Sequence, residues 1–371
     1  MKNHISSSEA LPSLPTAAPI AHRLTFIDFG KGLAILGIVL YHYSQAFVSG
    51  SLEQLIQLGG AGVHLFVIFS GFTLSLSAKR LSALSFYKRR FIKIIIPYYL
   101  IICLIFLIKQ VYAIYPESGW YTFFGHLLLF KMFDETIVTS LGTHFWFMSL
   151  IFQLYLVYPF LVSCLDALQP KRFVVVVLLV SIVYWILIAA AGVADMRVYK
   201  SAFLAHLWEF GLGMVFARTY RKNPNAFSAV DRRWMLVLAM LGIGLKGAMA
   251  MQGSDMLKEF NDIPTVIGVG AFSVFAFKQL SAFPLVAKGI EALGKISYEL
   301  YLVHILVWLL AMGLWIAMLG SEPTFLFKLL VNYPSPDAEK QMLLNAQAGF
   351  EAKRSHLSQL NPVATSQVIL S

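Results

Sequence analysis

Long apolar segments recur along the chain and are separated by short polar linkers. Nine such segments lie near residues 33–50, 60–78, 94–113, 145–165, 173–191, 203–217, 235–251, 263–280 and 298–319. Most are close to the roughly 20 residues that a helix needs to cross about 30 Å of hydrocarbon. The pattern therefore predicts an all-α, polytopic transmembrane bundle of nine to ten spans.

Composition supports this class of protein. Hydrophobic residues make up 58% of the 371-residue chain and charged residues 13%, whereas soluble domains have about 45–50% and about 25%. The two cysteines, Cys103 and Cys164, both fall inside predicted spans. We therefore expect neither a disulfide framework nor a thiolate metal site.

The net charge of +10 is distributed unevenly among the linkers. Basic residues concentrate after the second, fourth, sixth and eighth predicted spans, and the alternate linkers hold few. The positive-inside rule then places the N-terminus in the cytoplasm. This topology accounts for the basic charge, so we predict the lipid bilayer as a partner and no nucleic acid.

The two ends of the chain differ from its middle. Residues 1–22 are rich in Ser, Pro and Ala and have no apolar core, which predicts a disordered tail and not a signal peptide. Residues 23–320 contain every predicted span and form the expected membrane domain. Residues 321–371 are polar and mixed, which predicts a divergent or disordered C-terminal tail.

Polar residues on one stripe of the first helix indicate a functional interior. His42 follows Lys31 by eleven residues, which in an α-helix is three turns plus about 20° and a rise of about 16 Å. Asp28 lies about 40° from this stripe. We therefore expect an ion pair at the cytoplasmic edge of the helix and an imidazole near the middle of the bilayer.

Other ionisable side chains fall in or beside the predicted spans. They are His64, His144, His206, Glu209 and His304. A lone histidine at such a depth could simply bond a neighbouring carbonyl, but several together favour a polar interior cavity. His206 and Glu209 are three residues apart and can touch on one helix face. Because each helix otherwise offers one histidine, we predict no metal site.

Six blocks of the sequence, in order, resemble the membrane-bound acyltransferase-3 family over about residues 23–320. The blocks are FIDFGKGLAILGIVLYH, GAGVHLFVIFSGFTLS, FYKRRFIKIIIPYYL, HFWFMSLIFQLYLVYPFL, WEFGLGMVFA and LGKISYELYLVHILV. Three departures stand out: Lys31 replaces the usual Arg, His64 replaces the usual Asp, and Ile151 and Phe152 stand where an acidic residue is common. The region after Glu322 also does not resemble the family's last helix.

The resemblance implies transfer of an acyl group, often acetyl, from cytoplasmic acyl-CoA to a hydroxyl of a glycan, a lipid-linked saccharide or a related acceptor. It implies an inner-membrane enzyme that uses acyl-CoA as donor substrate and keeps no cofactor permanently bound. His42 is the expected general base, because imidazole is the usual base near neutral pH, and a transient acyl carrier is the alternative role. Glu209 is a second catalytic candidate, for orienting or binding the acceptor.

The donor's phosphates need cations at the cytoplasmic edge, and the expected residues are Lys31, Arg89, Arg90 and Lys93. The last three are equally explained by the positive-inside rule. The expected supporting residues are Asp28, His64, His144, Tyr155, His206, Tyr301 and His304. Two other classes of protein stay open at this point: a proton-coupled secondary transporter, which also places His and Glu at the midplane, and a membrane scaffold.

Overall fold

A computed structural model describes residues 24–44, 56, 58–77, 82–111, 114–115, 118–226, 230–251 and 260–319. The predicted N-terminal and C-terminal tails, 1–22 and 321–371, lie outside the described residues. Within the described part every regular element is helical. The helices are α1 (Thr25–Ser44), α2 (Gly62–Leu76), α3 (Ala83–Ile108), α4 (Trp120–Leu127), α5 (Trp146–Leu168), α6 (Pro170–Ala190), α7 (Arg197–Lys200), α8 (Phe203–Lys222), α9 (Arg232–Met251), α10 (Asp262–Leu280), α11 (Pro284–Lys295) and α12 (Ser297–Leu319).

Each of the nine predicted spans overlaps one of these helices. By length and composition, six helices in the described part could cross a membrane, or seven if α11 and the first part of α12 form one span bent by 81°. The molecule is therefore a multi-pass membrane protein. The total of nine to ten spans and the cytoplasmic N-terminus stay predictions.

The first helix begins earlier than the predicted span. It starts at Thr25, so that Asp28, Lys31 and His42 all belong to one continuous helix. Asp28 is buried and Lys31 is half-buried. The single-stripe geometry expected for Lys31 and His42 therefore applies to an unbroken element.

Glycines allow α1 and α11 to approach each other closely. A methyl group on Gly32 would collide with the backbone carbonyl of Ile290, and one on Gly294 would collide with that of Asp28. Small residues at helix crossings are the usual means of close packing in membranes. The crossing fixes α11 against the start of α1, and α12 then departs from it at a steep angle.

A second pair of glycines brings α2 and α8 together. Cβ atoms at Gly71 and Gly213 would collide with the backbone of the opposite helix, at Phe210 and Ile68 respectively. Because the two backbones are in contact, polar side chains one or two turns away on the two helices can meet directly. This contact positions His64 of α2 beside Glu209 of α8.

Candidate functional site

Three histidines from distant parts of the chain meet inside the bundle. His42 comes from the last turn of α1, His144 from a 3₁₀ segment (Thr143–Phe145) before α5, and His304 from α12. The ring centroids of His42 and His304 are 5.3 Å apart, and those of His144 and His304 are 4.8 Å apart. We call these residues the histidine trio. His144 and His304 are buried, while His42 is half-buried.

Several ring nitrogens of the histidine trio have no hydrogen-bond partner in the described protein. His304 Nδ1 lies 2.9 Å from the carbonyl oxygen of Tyr301, so Nδ1–H donates and Nε2 is left as a buried acceptor. Both ring nitrogens of His144 are likewise buried and unpartnered. Buried polar atoms are normally satisfied, so this arrangement is suited to a polar substrate group that enters the bundle.

The backbone beside His144 is held by Tyr301 and Lys131. The Tyr301 hydroxyl donates a hydrogen bond to the His144 carbonyl. Lys131 Nζ donates to the carbonyls of Val138, at 3.0 Å, and Phe145, at 3.1 Å. Lys131 lies outside the candidate membrane spans, and its burial lowers the pKa of its ammonium to about 7. In the sequence, Lys131 was visible only as a single charge in an apolar linker, which did not indicate a structural role.

A second polar cluster lies between α2, α8 and the start of α10. Glu209 Oε1 is 3.0 Å from His206 Nδ1 and 3.0 Å from His64 Nδ1. The Nε2 atom of His64 is 3.7 Å from Asp262 Oδ1. The predicted contact between His206 and Glu209 is confirmed, and His64 and Asp262 complete what we call the carboxylate–histidine cluster.

The carboxylate–histidine cluster also contains the atoms that a metal would need. One ligand atom from each of His64, His206, Glu209 and Asp262 lies within 4.8 Å of the others. The prediction of no metal site rested on each helix offering a single histidine. Three helices bring the ligands together here, and sequence spacing gave no sign of that convergence.

Trp146 lies between the histidine trio and the carboxylate–histidine cluster. It follows the segment that carries His144, and its ring centroid lies 6.4 Å from that of His206. The guanidinium carbon of Arg197 lies 5.1 Å from the Trp146 ring centroid, an arrangement that favours a cation–π contact. The structure thus groups His42 with His144 and His304, and Glu209 with His64 and His206.

The predicted donor-binding cations do not share one environment. Arg89 and Lys93 are exposed, whereas Arg90 is half-buried and lies 5.9 Å from the Tyr155 ring centroid. Arg90 lines two cavities, of about 420 and 330 Å³, and Tyr155 lines the larger. Neither cavity is lined by Arg89 or Lys93.

Two further arginines line the smaller cavity. In the sequence they contributed only to the positive charge of the linker after the sixth predicted span. Arg218 and Arg221 come from the last turns of α8. Arg218 pairs with Asp166 at the end of α5, and Arg221 Nη2 donates to the Ser75 carbonyl, 2.6 Å away, at the end of α2. Their hydrogen bonds to carbonyls at helix ends give both residues a capping role.

A family model described as an acyltransferase domain matches residues 24–331, which is most of the chain. The chain belongs to the membrane-bound acyltransferase-3 family. Membership of this family favours an enzyme over the transporter and scaffold alternatives.

Curated relatives agree with this family assignment. The O-acetyltransferases OatA of Staphylococcus aureus strains NCTC 8325 / PS 47 and COL are each 22% identical to it over 316 residues. The match covers 75% of this chain and 49% of each relative, so the chain spans about half the length of the curated relatives it matches. No solved structure matches the acyltransferase.

Proposed function

We propose that this acyltransferase moves an acyl group, most simply acetyl, from cytoplasmic acyl-CoA to a hydroxyl of a cell-surface glycan or a related acceptor. The relatives named as O-acetyltransferases support an oxygen nucleophile and an acetyl group. The multi-pass bundle supports a site inside a membrane, and we assign the protein to the cytoplasmic membrane.

The observation that carries the proposal is the environment of His42. It shares a continuous helix with Lys31 and packs beside His304, which in turn contacts His144; both of these buried histidines have unpartnered ring nitrogens. A hydroxyl is a poor nucleophile until a base removes its proton, and a positioned imidazole supplies that base. His42 is half-buried, so it is accessible to a substrate in a way that fully buried groups are not.

The reaction balances with His42 as the base. The acceptor oxygen forms a bond to the acyl carbon while His42 takes the hydroxyl proton. The bond between that carbon and the CoA sulfur then breaks, and the protonated His42 returns the proton to the leaving thiolate. His304 packs against His42, and its unpartnered Nε2 is available to accept from the acceptor hydroxyl, while the N–H of His144 is available to donate to the thioester oxygen.

Lys31 is the proposed anchor for the donor's phosphates. Eleven helical residues separate it from His42, a rise of about 16 Å, which is about the length of an extended pantetheine arm. A nucleotide held near Lys31 could therefore present its thioester beside His42. Arg90, which lines both cavities, is the best-placed further cation among those predicted.

Glu209 has a supporting role in this proposal. It is fully buried and contacts His64 and His206, which belong to the carboxylate–histidine cluster and not to the histidine trio. We therefore expect it to shape the acceptor side of the interior. His42 carries the proton transfer.

The test uses the purified full-length chain in lipid vesicles with acetyl-CoA labelled in its acetyl group. Release of free CoA thiol and appearance of labelled ester on an added glycan should both require His42. The acceptor can be identified by comparing ester-linked acetyl groups on envelope glycans of a strain lacking the gene with those of the parent. Vesicles that move a solute but never consume acetyl-CoA would contradict the proposal.

A further inference from the structure

We propose that the carboxylate–histidine cluster binds a divalent first-row transition metal ion of the zinc class through His64, His206, Glu209 and Asp262. The first observation is geometric. Ligand atoms held about 2.0 Å from a tetrahedral ion lie about 3.3 Å from one another. Glu209 Oε1 lies 3.0 Å from the Nδ1 atoms of both His64 and His206, and one ligand atom from each of the four residues lies within 4.8 Å of the others.

The second observation is the hydrogen bonding of His206. Its Nδ1 faces Glu209 Oε1, and its Nε2 lies 3.2 Å from the backbone carbonyl of Lys200. A neutral imidazole has only one N–H, so it cannot donate to both oxygens. A metal at Nδ1 resolves this, because Nε2–H then donates to the carbonyl, as metal-bound histidines commonly do.

His64 lies on the opposite side of the cluster, between two carboxylates. Its Nδ1 faces the Glu209 carboxylate and its Nε2 faces that of Asp262. Without a metal, His206 would have to be protonated to donate to both of its acceptors, beside the His64 ring whose centroid is 5.8 Å away. A divalent ion removes that requirement and binds two neutral imidazoles instead.

The third observation is the state of Glu209. The residue is fully buried, and its Oε2 atom has no hydrogen-bond partner in the described protein. A buried carboxylate oxygen without a partner is costly, and coordination by a cation would satisfy it. The inner ligands are then His64, His206 and Glu209.

Asp262 is the outermost of the four ligands. Its side chain is 28% exposed, and it also interacts electrostatically with Lys246 of α9. Together the four residues form a closed N₂O₂ set, which is typical of a structural ion and leaves no position for substrate. The ion would tie α2, α8 and α10 together, and His42, which carries the proposed proton transfer, is not one of its ligands.

The experiment measures bound metal on the full-length protein purified in detergent from zinc-supplemented cells. Mass spectrometry of the elements should find about one first-row metal ion per chain. His206→Ala and Glu209→Gln each change a proposed direct ligand, so each should reduce the metal affinity by at least the roughly ten- to hundredfold that loss of an outer-shell partner costs. His42→Ala and His304→Ala, which alter the histidine trio, should retain the full amount, so a metal result does not depend on whether acyl transfer is observed.

A second measurement uses wild-type protein, so it still tests the proposal if the variants fail to fold. Wild-type protein treated with a chelator should lose thermal stability, and added Zn²⁺ should restore it. X-ray absorption at the metal edge should detect two imidazole ligands. The proposal is overturned if wild-type protein holds less than about 0.1 ion per chain and Zn²⁺ leaves the chelator-treated melting temperature unchanged. Equal metal content in wild type, His206→Ala and Glu209→Gln would overturn it as well.

Discussion

The hydroxyl of Tyr43 donates a hydrogen bond to the backbone carbonyl of His304, 2.8 Å away. This bond joins the end of α1 to α12 one residue after His42. Because the His42 and His304 rings are neighbours, the bond holds two members of the histidine trio at a fixed separation. The trio is therefore positioned by the backbone of α12 as well as by side-chain packing.

Replacing His42 should abolish catalysis while leaving the fold intact. His42→Ala should lower turnover by about 10²–10⁴-fold, the usual cost of removing a general base. Membrane abundance and melting temperature should stay close to wild type, because the side chain is only half-buried. Leu40→Ala is a matched control, since Leu40 is an exposed residue of the same helix. Retention of more than about a tenth of the wild-type turnover would rule out His42 as the base.

Lys31 should act mainly on donor binding. Lys31→Ala and Lys31→Gln should each raise the apparent KM for acetyl-CoA by about ten- to a hundredfold, the value of one charge-assisted contact. Lys31→Arg should restore much of the affinity, because either cation can meet a phosphate. Lys171→Ala removes an exposed cation elsewhere and should leave the KM unchanged. An unchanged KM in Lys31→Ala would show that Lys31 only anchors the helix.

Lys131 should make stability depend on pH. Burial lowers the pKa of its ammonium to about 7, whereas an unfolded lysine titrates near pH 10.4. Between these values the unfolded chain binds more protons, so the free energy of unfolding should rise with pH, by at most about 1.4 kcal/mol per unit. Unfolding measured in detergent from pH 7 to 10 should show this slope.

The contribution of Lys131 can be isolated by substitution. Lys131→Met should flatten the slope between pH 7 and 10, whatever it does to absolute stability through the two lost hydrogen bonds. Lys222→Met, at an exposed lysine, should leave the slope as in wild type. A slope that survives in Lys131→Met would assign the pH dependence to other groups.

The close crossing of α1 and α11 predicts that two glycines of α11 respond differently to substitution by alanine. Gly294→Ala should destabilise the protein by about 1–3 kcal/mol, because the new methyl group would collide with the Asp28 carbonyl. Gly289 lies on the same helix with open space around it. Gly289→Ala should be neutral or stabilise by up to about 1 kcal/mol through helix propensity. Equal melting temperatures for the two variants would contradict the close crossing.

The predicted orientation can be tested with single cysteines in a background lacking Cys103 and Cys164. Asn225 follows α8 and Ala191 follows α6, and both are exposed. The positive-inside rule places Asn225 in the cytoplasm and Ala191 outside. An impermeant thiol reagent added to intact cells should therefore label Ala191→Cys and spare Asn225→Cys. The opposite labelling would reverse the orientation and remove the cytoplasmic donor site.

The periodicity of the sequence predicted the positions of the helices well. It predicted side-chain contacts only between residues of the same helix. Apolar runs located a helix at each of the nine expected places, and a spacing of three residues predicted the contact between His206 and Glu209. Both are consequences of chain geometry within one helix. Helix α11 was missed, because a 12-residue helix is too short to stand out as a span.

Contacts between distant residues could not be read from spacing. His64 meets Glu209 across 145 positions of the chain, and Tyr301 meets His144 across 157. These contacts depend on close approaches such as that of Gly71 and Gly213, which bring whole helices together. Asp262 and Lys131 were missed for the same reason, since each gains its partners only when separate elements pack.

The histidine trio draws its members from positions 42, 144 and 304. During synthesis the first two would reach the membrane long before α12 leaves the ribosome, so the site is completed only when the last described helix is inserted. Any nascent or truncated product that ends before Ser297 therefore lacks His304 and the carbonyl that Tyr43 binds. Under the proposed function, a chain that has not yet inserted α12 would hold an incomplete site and would leave acetyl-CoA unconsumed.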